Sequence, residues 1–302
     1  TGTSASHAIT GVGFKPDLVW IKRRSSNESH ALYDSTRGIN KQLESNSSSA
    51  EATNTSPYEG FTSFDNDGFT VDNNGGTNSS GQTYVAWCFK ANSGTTTAGS
   101  GTGVTNVTNQ ANSAGTFSIT TFTGSSTSGG SFTHGLGAVP DMYIVKTTSN
   151  SDSWFVWHKD LTNTTTYGLR LDTNSAEQSN AAFWNSTAPT STEISVGNGI
   201  LVNGWDYVAY SFKNIPGFSQ AGSYTGNGTS QNITTGFKVG YVLIKCVSSS
   251  NHWMIYDSTR GGNKYLIADL ADLEGTANSN LVNFYENGFG VGSSNSENQN
   301  GE

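Results

Sequence analysis

The chain of 302 residues is acidic, with a formal net charge of −8, and only 13% of its residues are charged. This charge argues against nucleic acid as a partner, because phosphate binding needs a basic surface. No apolar run approaches the length that spans a membrane, so we expect no membrane insertion. The 36 glycines and the abundant serine and threonine instead indicate many short strands joined by polar turns.

Five segments rich in β-branched and aromatic residues are the clearest predicted strands. In chain order they are Asp17 to Lys22, Tyr84 to Phe89, Asp141 to Lys146, Asp206 to Phe212 and Val239 to Cys246. Helical spacing of apolar residues occurs in Lys264 to Glu274, which fits a short strand followed by a loop equally well. We therefore predict an all-β protein with little or no helix.

An internal repeat organises the chain. The hexapeptide Tyr33 to Gly38 returns letter for letter as Tyr256 to Gly261, an offset of 223 residues. A diverged middle copy has an offset of 124 residues, which places Pro140 to Lys146 on Pro16 to Lys22. The middle copy keeps an aromatic residue at Trp157 but lacks the Asp-Arg pair of the hexapeptide. Recurrence of this kind is typical of tandem modules.

The offsets predict three tandem β-sandwich modules of jelly-roll or lectin-like type. Repeat 1 covers residues 1–90, repeat 2 covers 115–214 and repeat 3 covers 215–302. Residues 91–114, rich in Gly, Ser, Thr and Asn, are predicted to be a linker. The strand that closes repeats 1 and 2 has no counterpart in repeat 3, and repeat 1 has no counterpart of the strand that opens the other two. We infer a piece of a longer polypeptide; the alternative is that another subunit supplies these edge strands.

The hexapeptide has two readings. Asp34 with Arg37, and Asp257 with Arg260, could bind a polar ligand or could form a structural turn. In a turn, Asp caps the bend, Gly leaves it with positive φ, and Arg pairs with Asp or covers an aromatic ring. Recurrence in two copies favours the structural turn, since no duplicated ligand site is then required.

Metal and cofactor sites are not predicted. The segment Asp65 to Gly68 hints at a calcium loop, but a strand follows it at once, which favours a tight hairpin. The histidines form no close pair at ligand spacing. Cys88 and Cys246 occupy different positions of the repeat, so we predict that they form no disulfide.

Seven tryptophans are many for so polar a chain. Trp20, Trp87 and Trp157 are predicted to be core residues. Three further tryptophans are candidates for an exposed aromatic platform that stacks on sugar rings: Trp154, Trp184 and Trp253. The alternative is that these three are buried as well.

Three segments together resemble repeat modules of tailed-phage structural proteins, chiefly tail fibres of marine and environmental phages. They are Gly13 to Lys22, the hexapeptide, and Tyr84 to Lys90. The resemblance covers nearly the whole chain and carries no catalytic residues. It implies a virion or extracellular location, contacts with other virion proteins, and self-association as a homotrimer. Because such modules occur beside lectin-like domains, it also implies contact with host surface glycans.

The expected function is therefore a tail-fibre segment, without enzymatic activity, used for display or host-cell attachment. A capsid decoration protein of the same module type is the first alternative. A glycan-degrading tailspike enzyme is the second, and it requires paired carboxylates across a groove.

Overall fold

The computed structural model describes residues 1–55, 60–292 and 297–298. Within these residues the chain is strand-rich and contains no helix, so the predicted all-β class is confirmed. The strands of repeat 1 are β1 (His7–Thr10), β2 (Leu18–Arg23), β3 (Ala31–Asp34), β4 (Lys41–Gln42), β5 (Ala52–Thr53), β6 (Phe61–Asp65), β7 (Gly68–Val71) and β8 (Tyr84–Phe89).

The strands that follow fall into two groups. Those up to the end of repeat 2 are β9 (Thr97–Ala98), β10 (Gly101–Thr102), β11 (Val104–Ala111), β12 (Phe117–Gly124), β13 (Gly130–Thr133), β14 (Met142–Thr147), β15 (Phe155–His158), β16 (Tyr167–Arg170), β17 (Gln178–Ser179), β18 (Glu193–Val196) and β19 (Asp206–Phe212). Those of repeat 3 are β20 (Gln231–Thr234), β21 (Tyr241–Ile244), β22 (Met254–Asp257), β23 (Lys264–Ile267), β24 (Gly275–Thr276), β25 (Val282–Tyr285) and β26 (Gly288–Val291).

Each repeat contains two larger antiparallel sheets, here called its main sheet and its second sheet, and repeat 1 also has the two-stranded pair β4-β5. In repeat 1 the main sheet has the order β3-β2-β8 and the second β1-β7-β6. In repeat 3 the orders are β21-β22-β23-β24 and β20-β26-β25. Repeat 2 is larger, with β17-β16-β15-β14-β19-β12-β11-β9 and β10-β13-β18. The sandwich arrangement of the repeats stays a prediction.

The central strands of the main sheets are buried on both faces, and apolar residues stand next to each other along them. In β2, Leu18 and Trp20 point to one face while Val19 and Ile21 point to the other, as side chains alternate along a strand. One face packs against the second sheet of the same repeat. The other face enters a cluster that is shared by all three repeats.

The shared cluster is the central core of the molecule. Leu32 of repeat 1, Val156 of repeat 2 and Ile255 of repeat 3 occupy the same position of their repeats, and all three are buried in it. The repeats are therefore packed around a common centre. They are not separate units joined only through the chain.

The strands decide three interpretations of the sequence. Residues 91–114 are not a linker without structure, because they contain β11, whose eight residues pair with β12 and β9. Small polar residues hid this strand, whose stability comes from its neighbours in the sheet. The segment from Lys264 to Glu274 begins with a short strand and contains no helix. At the predicted hairpin, Asp65 pairs with Gly68 across a two-residue turn.

Candidate functional site

One open cavity of about 420 Å³ is lined by small residues, among them Asn109, Thr133 and Thr192, and its lining residues include no carboxylate. No group of three or more metal-ligating side chains occurs in the described part of the chain. No helix of the described residues is long and apolar enough to cross a membrane.

The three tryptophans predicted as an exposed platform are buried. Trp154 and Trp184 are fully buried and Trp253 is 4% exposed, so the predicted platform is wrong for these rings. Trp184 donates its indole N–H to the Tyr167 carbonyl, 2.7 Å away, inside repeat 2. A ring enclosed by protein on both faces cannot stack on a sugar. Trp20, Trp87 and Trp157, predicted as core, are buried as expected.

Trp154 and Trp253 instead join one repeat to the next. The indole N–H of Trp154 in repeat 2 donates to the Glu44 carbonyl of repeat 1 at 2.9 Å. The indole N–H of Trp253 in repeat 3 donates to the Arg170 carbonyl of repeat 2 at 2.8 Å. Glu44 directly follows Leu43, which pairs with β3, and Arg170 directly follows Leu169, which pairs with β15. The two carbonyls therefore occupy equivalent positions of their repeats.

His30 makes the same contact for repeat 1. It stands at the position of the two tryptophans, and its Nε2 lies 2.9 Å from the Ile267 carbonyl of repeat 3. The Trp20 indole N–H donates to His30 Nδ1 at 2.8 Å, so Nδ1 must accept and Nε2 carries the proton that goes to Ile267. Burial lowers the pKa of His30 to about 3, and the ring is neutral at neutral pH.

Three lysines form a second set of equivalent contacts. Lys22, Lys146 and Lys245 occupy the same position of their repeats, at or just beyond the end of a main-sheet strand, and each ammonium group donates to a carbonyl of a neighbouring repeat. The pairs and distances are Lys22 with Ala271 at 3.3 Å, Lys146 with Ser48 at 3.1 Å, and Lys245 with Asn174 at 3.3 Å. Burial lowers the pKa of Lys22 and of Lys146 to about 8, and it also lowers that of Lys245.

A third set joins the backbones directly. In each repeat the backbone N–H of a glutamate donates to a backbone carbonyl of a neighbouring repeat. The carbonyl lies shortly after the end of a main-sheet strand. The pairs are Glu51 with Thr148 at 2.8 Å, Glu177 with Val247 at 2.8 Å, and Glu274 with Arg24 at 2.9 Å. Backbone pairing of this kind fixes the spacing of the repeats whatever the side chains are.

The three sets join the same pairs of repeats and close on themselves, with the glutamate N–H groups donating in the opposite sense to the aromatic and lysine donors. Aromatic and lysine donors of repeat 2 reach repeat 1, those of repeat 3 reach repeat 2, and those of repeat 1 reach repeat 3. Contacts that return to their starting unit after three steps are the contacts of a threefold axis. The chain is therefore a closed, pseudo-threefold ring, and we call each contact zone between repeats a joint.

The hexapeptide turn belongs to these joints. The Asp34 carboxylate accepts the backbone N–H of Arg37 at 2.9 Å and pairs with its guanidinium at 2.5 Å, and Gly38 follows with φ of +115°. Tyr210 of repeat 2 donates its hydroxyl to the same carboxylate at 2.7 Å. Arg37 also contacts Glu51 at 2.6 Å. The buried charge is thus balanced by groups from two repeats.

The second hexapeptide has the same arrangement at another joint. Asp257 pairs with Arg260 at 2.5 Å, and the Trp87 indole N–H of repeat 1 donates to Asp257 at 3.3 Å. Trp87 stands on β8 where Tyr210 stands on β19. The Arg260 guanidinium lies 5.6 Å from the centre of the Trp87 ring, so Arg both pairs with Asp and covers an aromatic ring.

The repeat 2 turn lacks this arrangement. His158 holds the position of Asp34, and its Nδ1 accepts the Asp160 N–H at 3.1 Å. In the other two joints the aromatic partner comes from β19 or β8, the last main-sheet strand of the neighbouring repeat. For His158 that strand would belong to repeat 3 and would pair with β21. No strand of the described residues pairs with that edge of β21. The hexapeptide has therefore diverged at the one joint for which the described residues supply no aromatic partner.

Sequence reasoning missed the three joint lysines, of which Lys22 and Lys146 are buried, and the buried His30. A basic run such as Lys22 to Arg24 is typical of a solvated surface, but Lys22 is fully buried and Arg24 pairs with Glu274 at 2.7 Å. A signal was present, since a lysine recurs at the same register in all three repeats. What the arrangement does chemically is hold three repeats together with directed hydrogen bonds, most of which are buried or partly buried.

No curated protein and no solved structure matches the chain. Residues 1–302 match a family described as a domain of unknown function (DUF7483), and the match spans all three repeats. On this evidence the chain belongs to the DUF7483 family.

Proposed function

We propose that the chain is a structural segment of a virion surface appendage, a tail fibre, that serves display or attachment to the host cell. The observation that supports this proposal is where the distinctive side chains of the chain make their contacts. The buried aromatic, lysine and Asp-Arg groups are engaged in joints between repeats and do not converge on a cleft. A rigid body of this kind suits a role in bearing load and presenting surfaces.

The resemblance of the repeat motifs to tail-fibre modules supports the location on the virion. It also supports contacts with other virion proteins and with host glycans. The burial of Trp154, Trp184 and Trp253 removes the aromatic argument for sugar binding, so glycan contact is supported by the resemblance alone. Catalysis is not part of the proposal.

Immunogold electron microscopy of virions that carry this gene tests the proposal. Antibodies raised against the purified chain should place gold along a tail appendage. Gold confined to the capsid would favour a decoration protein, and particles without gold would contradict both. Antibody adsorbed beforehand with the purified chain is the control, and it should leave the particles unlabelled.

A further inference from the structure

Repeats 1 and 2 differ at one edge of the main sheet. In repeat 2, β19 pairs with β14 on one side and with β12 on the other. In repeat 1, the equivalent strand β8 pairs with β2, and no strand of the described residues pairs with its other edge. An edge of this kind offers backbone donors and acceptors to another strand.

Burial along the two strands shows the same difference. Val208, Ala209 and Ser211 of β19 are fully buried. Their equivalents on β8 are only half-buried: Val85, Ala86 and Cys88. The main sheet of repeat 1 is therefore uncovered along the line where repeat 2 carries β12.

An apolar cavity of about 120 Å³ lies beside the β8 edge. Ile9, Phe69 and Val71 line it from the second sheet, and Tyr84 and Ala86 line it from β8. A cavity of about this size accommodates a benzene ring.

In repeat 2 the equivalent space is filled by a side chain of β12. Phe122 is 2% exposed and lies opposite Tyr207, which stands where Tyr84 stands in repeat 1. Its ring stacks on Phe132 at 4.2 Å and on Tyr207 at 5.1 Å. Phe132 stands on β13 where Ile9 stands on β1.

We propose that the β8 edge and the adjoining cavity form a strand-acceptor site. The site takes one extended peptide strand of β12 type, antiparallel to β8, with an aromatic side chain opposite Tyr84. Main-chain hydrogen bonds supply the affinity, and the aromatic residue in the cavity supplies the register and the selectivity. This site is independent of the proposed virion role, because it follows from the comparison of two repeats of one chain.

The test adds a β12-type strand to the chain. A copy of residues 115–122 is fused directly before Thr1, as β12 directly precedes Thr123 and Gly124. All variants carry Cys246→Ser, so Cys88 is the remaining thiol. Fusion raises the local concentration of the strand, so binding does not depend on a high intermolecular affinity.

We expect the fused chain to melt at a higher temperature and its Cys88 to react with iodoacetamide at least about tenfold more slowly, as burial under a strand protects a thiol. The matched control carries Phe→Ser at the fused copy of Phe122, and it should show neither change. An unchanged Cys88 rate, or equal protection by the control, would overturn the proposal. Protection of Cys88 in the unfused chain that grows with protein concentration would also overturn it, and would identify a second copy as the occupant.

Discussion

Charged side chains at the joints are buried, so their removal leaves a partner without compensation. The Arg37 side chain is 4% exposed and that of Asp34 is fully buried. By contrast, the ion pair of Lys238 and Glu286 joins two side chains that are 65% and 82% exposed. Breaking a buried pair costs about 3–5 kcal/mol, whereas an exposed pair contributes about 0–1 kcal/mol.

Arg37→Met should therefore lower the free energy of unfolding by about 3–5 kcal/mol, because it leaves the Asp34 carboxylate buried with its charge unmatched. Lys238→Met is the matched control and should lower it by less than about 1 kcal/mol. Urea denaturation measures both. Equal losses in the two variants would show that the Asp34 turn is no more than a surface feature.

Trp20 and His30 are a contacting pair in repeat 1, and the sizes of the two side chains at these positions differ between repeats. Their equivalents in repeat 3 are Leu243 and Trp253, a small residue beside a large one. His30→Trp alone should overpack the joint and destabilise the chain by about 1–3 kcal/mol. Adding Trp20→Leu should recover most of that loss, because the pair then has the composition of repeat 3. Additive effects in the double-mutant cycle would contradict this coupling.

Acid should weaken the joint through His30. The unfolded chain takes up a proton on this residue below about pH 6.5, while folding holds its pKa at about 3 through burial. Between these values the unfolded state binds more protons, so the free energy of unfolding falls as the pH falls. The Trp20→Leu/His30→Trp variant should lose part of this dependence between pH 7 and 4.5 in urea titrations. An identical pH dependence in both proteins would exclude His30 as a source.

At the scale of elements, β8 and β19 were predicted with their observed bounds because β-branched and aromatic residues fill them. The elements that cover the two faces of the main sheet could not be predicted in the same way. An unbroken apolar run such as Leu18 to Ile21 indicates burial on both faces but does not name what covers them. Contacts such as Lys22 with Ala271 join residues 249 positions apart, beyond the reach of any local pattern.

The strand β11 shows where composition misled. Its Gln110 is buried and donates to the Asp17 carboxylate of repeat 1 at 2.8 Å. Gln110→Ala should cost about 1–3 kcal/mol by leaving buried groups without their partner. Thr105→Ala, at an exposed position of the same strand, should change stability by less than about 0.5 kcal/mol. A true linker would tolerate both substitutions equally in thermal melts.

At the scale of the molecule, three diverged repeats bury equivalent surfaces against one another around a shared core. The repeat was visible in the sequence, but its closure into a ring was not, since offsets give the copies and not their contacts. Trp154, Trp184 and Trp253 illustrate this limit, because a core tryptophan and a sugar-binding tryptophan look alike in sequence.

Self-association as a homotrimer stays a prediction from the resemblance to tail fibres. The surfaces that meet at the joints are already covered within one chain, so a trimer would use outward-facing surfaces. Sedimentation velocity at micromolar concentration should detect a species of three chains. A monomer across the whole concentration range would contradict the prediction.

Differential scanning calorimetry of the chain and of Trp253→Ala tests most directly whether the ring is one unit. Because the repeats share their core, we predict one cooperative transition for the native chain. Removal of Trp253 from the joint of repeats 3 and 2 should shift that single transition as a whole to lower temperature. Separate transitions, of which Trp253→Ala moves only one, would contradict the closed ring.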